Sequence, residues 1–418
     1  PGNSRSTSPP LLLGSSFMTP QIQQRVVLAI LAACLATTSC GSTKSWYKGN
    51  THTHTLWSDG NAAPELVVSY YTDNSYDFLV LSDHNILSEG EKWFPVNGGR
   101  LTEEKLQGLV DRFGTELVTV RDEPQREMRL QTLDELRRRF EVPGQFLLVQ
   151  GEEVTDSWDK YPVHINAVNI EQTVAPQHGD SVADTIRRNM EAIHAEGERS
   201  GREVLAHLNH PNFGWGVTVD EVAAMPLERF FEVYNGHSGV RNYGDAEHPS
   251  MESMWDLALV TRLEHNGLGL LYGVATDDSH DYYSWGPGKT NPGRGWVVVY
   301  AESLESDDIV RAMKAGDFYA SSGVTLSSIE KSASSLSVAI EPIEDVVYTT
   351  QFIGTLGGHG EHEIGVVLAE TKSNPAVYSF TGDELYVRAQ VVSSLDHPNP
   401  YAEGDKQTAW VQPVLVKQ

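Results

Sequence analysis

A pair of histidines two residues apart is the feature of the sequence best suited to chemistry. His52 and His54 follow the first predicted strand, Trp46 to Asn50, and side chains two apart on an extended backbone point to the same side. Neutral imidazoles bind zinc, iron and manganese ions, and Asp59, in the turn that ends at Gly60, offers a carboxylate oxygen nearby. The stretch therefore predicts a metal site, although two exposed loop histidines would give the same pattern.

Acidic and imidazole side chains also follow two predicted strands that are apolar throughout. The first strand leads into Asp83 and His84, and the second leads into Glu152 and Glu153. A continuous apolar run of this kind is typical of a strand buried on both faces of a parallel sheet. We expect His84 to be a ligand. Because neighbouring side chains on a strand point to opposite sides, only one of the two glutamates is expected to join it.

Three later segments add histidines and an aspartate. His164 lies in a short strand, and His210 stands at the end of another strand, where a ligand is expected. His207 precedes His210 on that strand and is expected to be a buried histidine behind the ligands. Asp278 and His280 follow a further apolar strand with the two-residue spacing of the first histidine pair, so they are also predicted to share a face.

The elements that position these side chains alternate between strand and helix from about residue 46 to 320. Polar residues cluster after successive strands, and this arrangement predicts a parallel α/β barrel with its site at the C-terminal rim, over residues 46–323. Residues 324–418 show short alternating strands without a helical period, which predicts a small all-β sandwich. We expect that second domain to pack or bind and the first to catalyse.

Composition and charge narrow the classes of function. The chain has 418 residues, of which 39% are hydrophobic and 21% charged, as in an ordinary globular protein. Its formal net charge of -26 argues against binding to duplex nucleic acid, whose phosphates it would repel. The two cysteines, Cys34 and Cys40, both lie near the N-terminus, so any metal in the body of the protein must be held by His, Asp and Glu.

The first 45 residues have the pattern of an export leader. Arg25 precedes an apolar run, Val26 to Ala36, and small residues then lead to Cys40. The run is shorter than the roughly 20 residues that span a bilayer. The small residues before Cys40 resemble a bacterial lipoprotein cleavage box, from which Thr37 departs. We therefore expect an exported protein, periplasmic or anchored to the membrane through a lipid on Cys40; a plain signal peptide cut near Cys40 is the alternative.

Taken together, the motifs resemble the PHP superfamily (polymerase and histidinol phosphatase) over about residues 48–322. The matching motifs, in chain order, are His52-x-His54, Ser58-Asp59-Gly60, Ser82-Asp83-His84, Gly151-x-Glu153, His164, His210-Pro211 and Asp278-x-His280. Lys48-Gly-Asn-Thr-His52 and Phe318-Tyr-Ala-Ser-Ser-Gly resemble an exported branch of that superfamily. This branch includes a carbamate (carbaryl) hydrolase and carries a C-terminal β domain.

The resemblance implies a distorted seven-stranded β/α barrel, the PHP fold, that holds two or three divalent metal ions (Zn, Mn or Fe). Carried over residue by residue, the first metal would take His52, His54, Glu153 and Asp278. The second would share Glu153 and add His164 and His210. The third would take Asp59, His84 and His280. Some family members have a histidine where Asp59 stands.

This ligand set predicts hydrolysis by a metal-activated water. The implied reaction is cleavage of a phosphomonoester or phosphodiester, a small anionic substrate, outside the cytoplasm. Asp83 or His280 is a candidate for the acid that protonates the leaving group. Amide or carbamate cleavage by the same site is an alternative, which aromatic residues near the predicted rim loops favour slightly. A metal-binding lipoprotein without enzymatic activity is a further alternative.

Overall fold

The computed structural model describes residues 44–97 and 99–416, and Lys44–Gln418 form one compact unit. The predicted export leader lies outside the described residues except for its last two, and so does Cys40, the predicted lipid attachment point. None of the helices in the described part of the chain is both long and apolar enough to cross a membrane.

Strands outnumber helices in the described residues. The strands are β1 (Ser45–Asn50), β2 (Phe78–Leu81), β3 (Trp93–Pro95), β4 (Val120–Arg121), β5 (Glu127–Arg129), β6 (Leu147–Trp158), β7 (Tyr161–Val168), β8 (Leu205–Leu208), β9 (Phe230–Asn235), β10 (Tyr272–Thr276), β11 (Trp296–Ala301), β12 (Phe318–Ser321), β13 (Leu326–Lys331), β14 (Ser335–Ile340), β15 (Tyr348–Leu356), β16 (Val366–Thr371), β17 (Ala376–Ser379), β18 (Glu384–Asp396) and β19 (Lys406–Leu415). The α-helices are α1 (Pro64–Asp73), α2 (Glu103–Phe113), α3 (Leu133–Phe140), α4 (Val182–Ser200), α5 (Val219–Ala223), α6 (Met251–Val260) and α7 (Ser306–Lys314).

Thirteen strands form one mixed sheet in the order β10-β9-β8-β7-β6-β2-β1-β11-β12-β19-β18-β15-β16. The pairs β1–β2, β2–β6, β8–β9 and β9–β10 are parallel, but β7 runs antiparallel to both β6 and β8. The prediction of a purely parallel sheet is therefore wrong at β7, and it is also wrong at β11, which runs antiparallel to both β1 and β12. At β7 the reason is local: two residues, Asp159 and Lys160, join β6 to β7, and so short a connection forces a hairpin. Closure into a seven-stranded barrel stays a prediction.

Strand β2, which leads into Asp83 and His84, is apolar and buried on both sides, as the sequence predicts. In β2, Phe78 and Val80 pack into one apolar cluster, whereas Leu79 and Leu81 pack into another. Burying such side chains contributes about 1.5–3 kcal/mol each. Because both faces are covered, the polar residues that follow the strand are the first ones free to face a cavity.

Helix α4 shows how local sequence sets the length of the elements around the sheet. The Ser181 side chain accepts a hydrogen bond from the backbone N–H of Asp184 and caps the N-terminus. Gly201, at φ 73°, ends the helix in the left-handed conformation, which glycine adopts without a steric penalty. These two residues therefore set the length of α4.

The loops after β1 and β10 meet at the C-terminal ends of these strands. Thr53 and Ser279 form an isolated parallel bridge. The backbone N–H of His54 donates to the carbonyl of Ser279 at 3.1 Å, and that of Asp278 donates to the carbonyl of His52 at 3.0 Å. The pair His52/His54 and the pair Asp278/His280, which follow distant strands, are therefore held side by side.

The C-terminal strands continue the main sheet. Strand β19 pairs with β12, and a three-stranded sheet, β13-β14-β17, contributes to the same apolar cluster as the strands beside β19. The Gln412 side chain, on β19, binds both the N–H and the carbonyl of Gly273 on β10, the first strand of the sheet order, at 2.9 and 2.8 Å. This contact covers polar backbone groups at a sheet edge. The domain boundary at residue 323 stays a prediction.

The loop between β18 and β19 contacts the two loops that follow β9 and β10. The backbone carbonyl of Asn399 accepts a hydrogen bond from Arg294 Nε at 3.2 Å. The Asn399 side chain donates to the carbonyl of Pro292 at 3.0 Å. The Tyr401 hydroxyl donates to the carbonyl of Val240. We call residues 397–405 the bracing loop.

Candidate metal centre

Two imidazoles and two carboxylates converge; His52, His54 and Asp278 lie just past the C-terminal ends of β1 and β10, and Glu153 lies in the middle of β6. His52 Nε2 and His54 Nε2 are 3.1 Å apart. Glu153 Oε2 lies 3.5 and 3.4 Å from these two nitrogens, and Asp278 Oδ1 lies 3.3 and 3.1 Å from them. Ligands at the corners of a tetrahedron about 2.1 Å from a zinc-like ion stand about 3.4 Å apart. All five separations fit such a site.

The other oxygen of Glu153 faces a second pair of imidazoles. His164 Nδ1 is 3.0 Å and His210 Nε2 is 3.3 Å from Glu153 Oε1. The Asn209 side chain donates to the same oxygen at 2.8 Å and orients the carboxylate. Glu153 thus presents one oxygen to each group, which is the arrangement of a carboxylate that bridges two metal ions.

A third group lies on the solvent side. Asp59 Oδ1 is 3.2 Å from His280 Nε2, and Asp59 Oδ2 is 3.5 Å from His84 Nε2. His54 completes this group, and its ring stacks on that of His280 with centroids 4.1 Å apart. The Asp59 side chain is 56% exposed, whereas His54 is fully buried. The centre therefore opens to solvent on the Asp59 side.

The residues present fit divalent metal ions. The buried Glu153 Oε2 lies among the imidazole nitrogens of His52, His54 and His84, at 3.5, 3.4 and 2.8 Å, so its negative charge requires either protons on these rings or a bound cation. Burial alone would raise the pKa of Glu153, but His52, His164 and His84 hold it well below its usual range. Six imidazoles and three carboxylates, without a thiolate, form a donor set suited to zinc, manganese or iron.

Buried partners hold the ligands in position. His52 Nδ1 is 2.7 Å from Glu232 Oε1, so this nitrogen donates to the carboxylate and Nε2 is left free for a metal. The Thr276 hydroxyl donates to the same Glu232 oxygen at 2.7 Å. Asn235 donates to Asp278 Oδ2 at 3.1 Å. Glu232 and Asn235, both on β9, therefore brace the ligands.

Asp83 does not face the metal centre. Its Oδ1 accepts hydrogen bonds from the backbone N–H groups of Thr55 and Ser58 at 2.8 and 3.0 Å, and from the Ser58 hydroxyl at 2.6 Å. Its Oδ2 accepts from the Thr55 hydroxyl at 2.8 Å. Asp83 therefore holds the turn between His54 and Asp59, and its position gives no support to the prediction that it protonates a leaving group. His280, the other acid candidate, lies within the centre.

The choice between neighbouring candidates follows from strand geometry. Glu152 points away from Glu153, and its carboxylate accepts the backbone N–H of Val174. His207 is fully buried behind His52, with ring centroids 6.3 Å apart, and burial lowers its pKa to about 4. Alternation predicts that only one residue of each pair faces the centre. The choice of Glu153 rests on the Gly151-x-Glu153 motif, and the choice of His210 rests on its place at the end of the strand.

His237 was not predicted from the sequence. It follows β9, and its backbone N–H donates to the Asn235 side chain at 2.7 Å. Its ring packs edge to face against those of His280 and Phe213, with centroids 5.2 and 6.0 Å away. Burial lowers its pKa to about 4, so the ring is neutral. The available signal was its place just after a strand that ends in polar residues.

Comparisons with known proteins add a fold likeness only. No family model matches the sequence, and no curated protein matches it. Among solved structures, a two-domain protein from Bacteroides vulgatus, predicted to contain a PHP-like metal-dependent phosphoesterase, is similar to 88% of this chain over 96% of its own, with 14% identity and a TM-score of 0.40.

Two further structures are similar over shorter parts of the chain. A proposed metal-dependent phosphoesterase from Bifidobacterium adolescentis covers 63% of this chain with 94% of its own, at 14% identity and a TM-score of 0.31. An amidohydrolase from Chromobacterium violaceum, with bound sulfate and no metal, covers 56% with 87% of its own, at 15% identity and a TM-score of 0.26. Likeness this weak carries no argument about activity, so the function is argued from the side chains.

Proposed function

We propose that this protein is a metal-dependent hydrolase. The observation that carries the proposal is the Glu153 carboxylate, which is buried between two groups of imidazoles and offers one oxygen to each. Bound divalent ions supply Lewis-acid activation of a water molecule and of the attacked group near neutral pH. The nine side chains of the centre would hold two or three such ions.

Residues around the predicted ligands fix the orientation of those ligands and determine the side from which a substrate can enter. Glu232, Asn209 and Asn235 fix the orientation of ligands before any substrate arrives, which avoids reorganisation during the reaction. His52 and His54 are fully buried, whereas Asp59 is exposed. A substrate therefore approaches from the Asp59 side.

We favour a small phosphoester as the substrate. Two cations hold the turn that carries Asp59: Lys92 Nζ donates to the carbonyl of Trp57, and Arg100 donates to the carbonyls of Ser58 and Gly60. Their positive charge lies at the open side of the centre, where it attracts an anionic group. The preference for phosphoesters rests on this charge and on the sequence motifs.

Amide or carbamate cleavage is the second candidate, favoured by Phe213. Its ring lies 5.2 Å from that of His210 and 6.1 Å from that of His164, so an apolar wall borders the centre. A neutral substrate with an aromatic leaving group would pack against such a wall.

Metal analysis of the purified protein, followed by paired assays, tests the proposal. Bis-para-nitrophenyl phosphate and a naphthyl methylcarbamate are assayed before chelation, after chelation and after manganese or zinc is restored. We expect two or three ions per chain and chelator-sensitive cleavage of the phosphodiester. Cleavage of the carbamate alone would select the second candidate. Bound metal without any turnover would point to a metal-binding protein, and no bound metal would refute the site.

A further inference from the structure

We propose that His237 is a substrate-contacting hydrogen-bond donor of the metal centre, held by its own loop with the proton on Nε2. This inference rests on the hydrolase function proposed above and extends it, because His237 belongs to none of the ligand groups.

The tautomer follows from one backbone contact. The N–H of Gly239 donates to His237 Nδ1 at 2.9 Å. A ring nitrogen that accepts a hydrogen bond carries no proton, so in the neutral imidazole the proton is on Nε2. Nε2 has no hydrogen-bond acceptor among the described residues, and it is therefore available to a ligand.

The loop is shaped to hold the ring in this place. A Cβ atom at residue 239 would lie 2.9 Å from His237 Cε1, closer than real Cβ atoms come, and 3.1 Å from Nδ1, a tight contact. A larger residue at this position would therefore require the imidazole to shift. Glycine allows the close approach in which the backbone N–H reaches Nδ1.

The ring also stands where a substrate would enter. On one side it packs against His280, a member of the exposed ligand group, and on the other side against the Phe213 ring. Asn235 connects the loop to the centre, because its side chain accepts the N–H of His237 and donates to Asp278. His237 thus lies beside both the exposed ligand group and the apolar wall.

A neutral N–H in this position can donate to an oxygen on which negative charge develops during hydrolysis. Donors that are oriented in advance stabilise such charge without reorganisation, and the loss of one typically costs about 100- to 1,000-fold in kcat. The ring donates a hydrogen bond and keeps its proton, so no proton transfer is assigned to it.

Replacement by alanine and by glutamine separates this role from a structural one. We expect His237→Ala to lower kcat about 100-fold while the metal content stays that of the wild type. His237→Gln places an amide N–H near the position of Nε2 and should recover much of the loss. The pH profile of kcat should keep its shape in His237→Gln.

The matched control is His248→Gln, on the same loop. The His248 ring stacks on Trp215 with centroids 4.0 Å apart and is held by Asp245, away from the ligand groups. We expect wild-type kcat for this variant. Gly239→Ala is the second probe, because it displaces the ring without removing it, and it should lower kcat with metal retained. It decides the question if His237→Ala does not fold.

The outcomes that overturn the inference are distinct. Unchanged kcat in His237→Ala or in Gly239→Ala would refute the donor role alone, since wild-type turnover would still support the hydrolase. Loss of metal in these variants would show a structural role. Loss of one limb of the pH profile in His237→Gln would show a proton donor in place of a neutral hydrogen-bond donor. Absence of metal-dependent turnover in the wild type would refute both proposals.

Discussion

Glu153 is the side chain that faces two groups of predicted metal ligands at once. Its two oxygens face different imidazoles: Oε2 faces His52, His54 and His84, and Oε1 faces His164 and His210. Its neighbour Glu152 is of the same type but points to the opposite side of β6. The adjacent pair therefore supplies a test residue and its own control.

Glu153→Gln should remove metal and activity together. The amide keeps the shape of the side chain but loses the charge that a bridging ligand provides. Because even partners of metal ligands change affinity by about 10- to 100-fold, we expect a loss of more than about 100-fold here, measured by elemental analysis and metal titration.

Glu152→Gln is the control. Burial raises the pKa of Glu152 to about 8, so its carboxyl is already neutral at pH 7 and the substitution changes little. Equal metal loss in both variants would contradict the assignment of Glu153.

Metal binding should release protons. Burial alone would lower the pKa of His84, but Glu153 and Asp59 outweigh it and raise the pKa to about 10. In the metal-free protein His84 is therefore protonated at pH 7, and a metal must displace that proton. We expect affinity to rise as the pH increases towards 10, and calorimetry in buffers of different ionisation enthalpy to show proton release.

The free energy of unfolding of the metal-free protein should fall as the pH rises, whereas the metal affinity should rise. Since the folded pKa of His84 is raised above the unfolded value of about 6.5, its contribution to folding is complete below pH 6.5. That contribution is lost as the pH rises through about 10. Urea unfolding of the metal-free protein at pH 6 and pH 9 measures the change; stability that increases over this range would contradict the charge state assigned to His84.

Some of the contacts by which strands and loops position these side chains can be predicted from the sequence, and others cannot. The sequence places polar residues after successive apolar runs, and the structure brings His52 and His54 close to both Glu153 and Asp278. The selection of Glu153 within the adjacent glutamate pair rests on the Gly-x-Glu motif. The direction of β7 depends on a two-residue turn, and the position of His237 depends on a loop contact with Gly239. Neither leaves a periodic pattern in the sequence.

Asp83 acts at the scale of an element, since it holds the turn that follows β1. Asp83→Ala leaves two backbone N–H groups and two hydroxyls without their acceptor, and each unpaired buried donor costs about 1–3 kcal/mol. We expect the free energy of unfolding to fall by about 3 kcal/mol and metal affinity to fall with it. Loss of only the acidic or basic limb of the pH–rate profile, with stability retained, would instead restore Asp83 as the catalytic acid.

At the scale of the whole molecule, the main sheet runs without interruption from the strands of the metal centre into the C-terminal strands. Strand β12 pairs with β19, where Trp410 stacks on Tyr234 with centroids 5.5 Å apart. Arg388, on β18, forms two hydrogen bonds with the buried Asp256 of helix α6 at 2.8 and 2.7 Å. These contacts join the two predicted domains through the core.

A chain that ends at residue 323 should therefore fail to fold by itself. It would leave the Asp256 carboxylate without its arginine, and breaking a buried ion pair on one side costs about 3–5 kcal/mol. Circular dichroism and thermal unfolding of residues 44–323 and of residues 44–418 measure the difference. Cooperative unfolding of the shorter chain, with metal bound, would support the predicted boundary between two independent domains.

The bracing loop borders the centre without contributing any of the predicted ligands. It contacts Arg294, Pro292 and Val240, which lie on loops beside the centre, and it supplies none of the predicted ligands. Its sequence can vary while the ligand set remains intact. Directed evolution confined to residues 397–405 should therefore yield variants with altered substrate preference and native metal content. Such variants would show that substrate preference can change through a segment that holds no metal ligand.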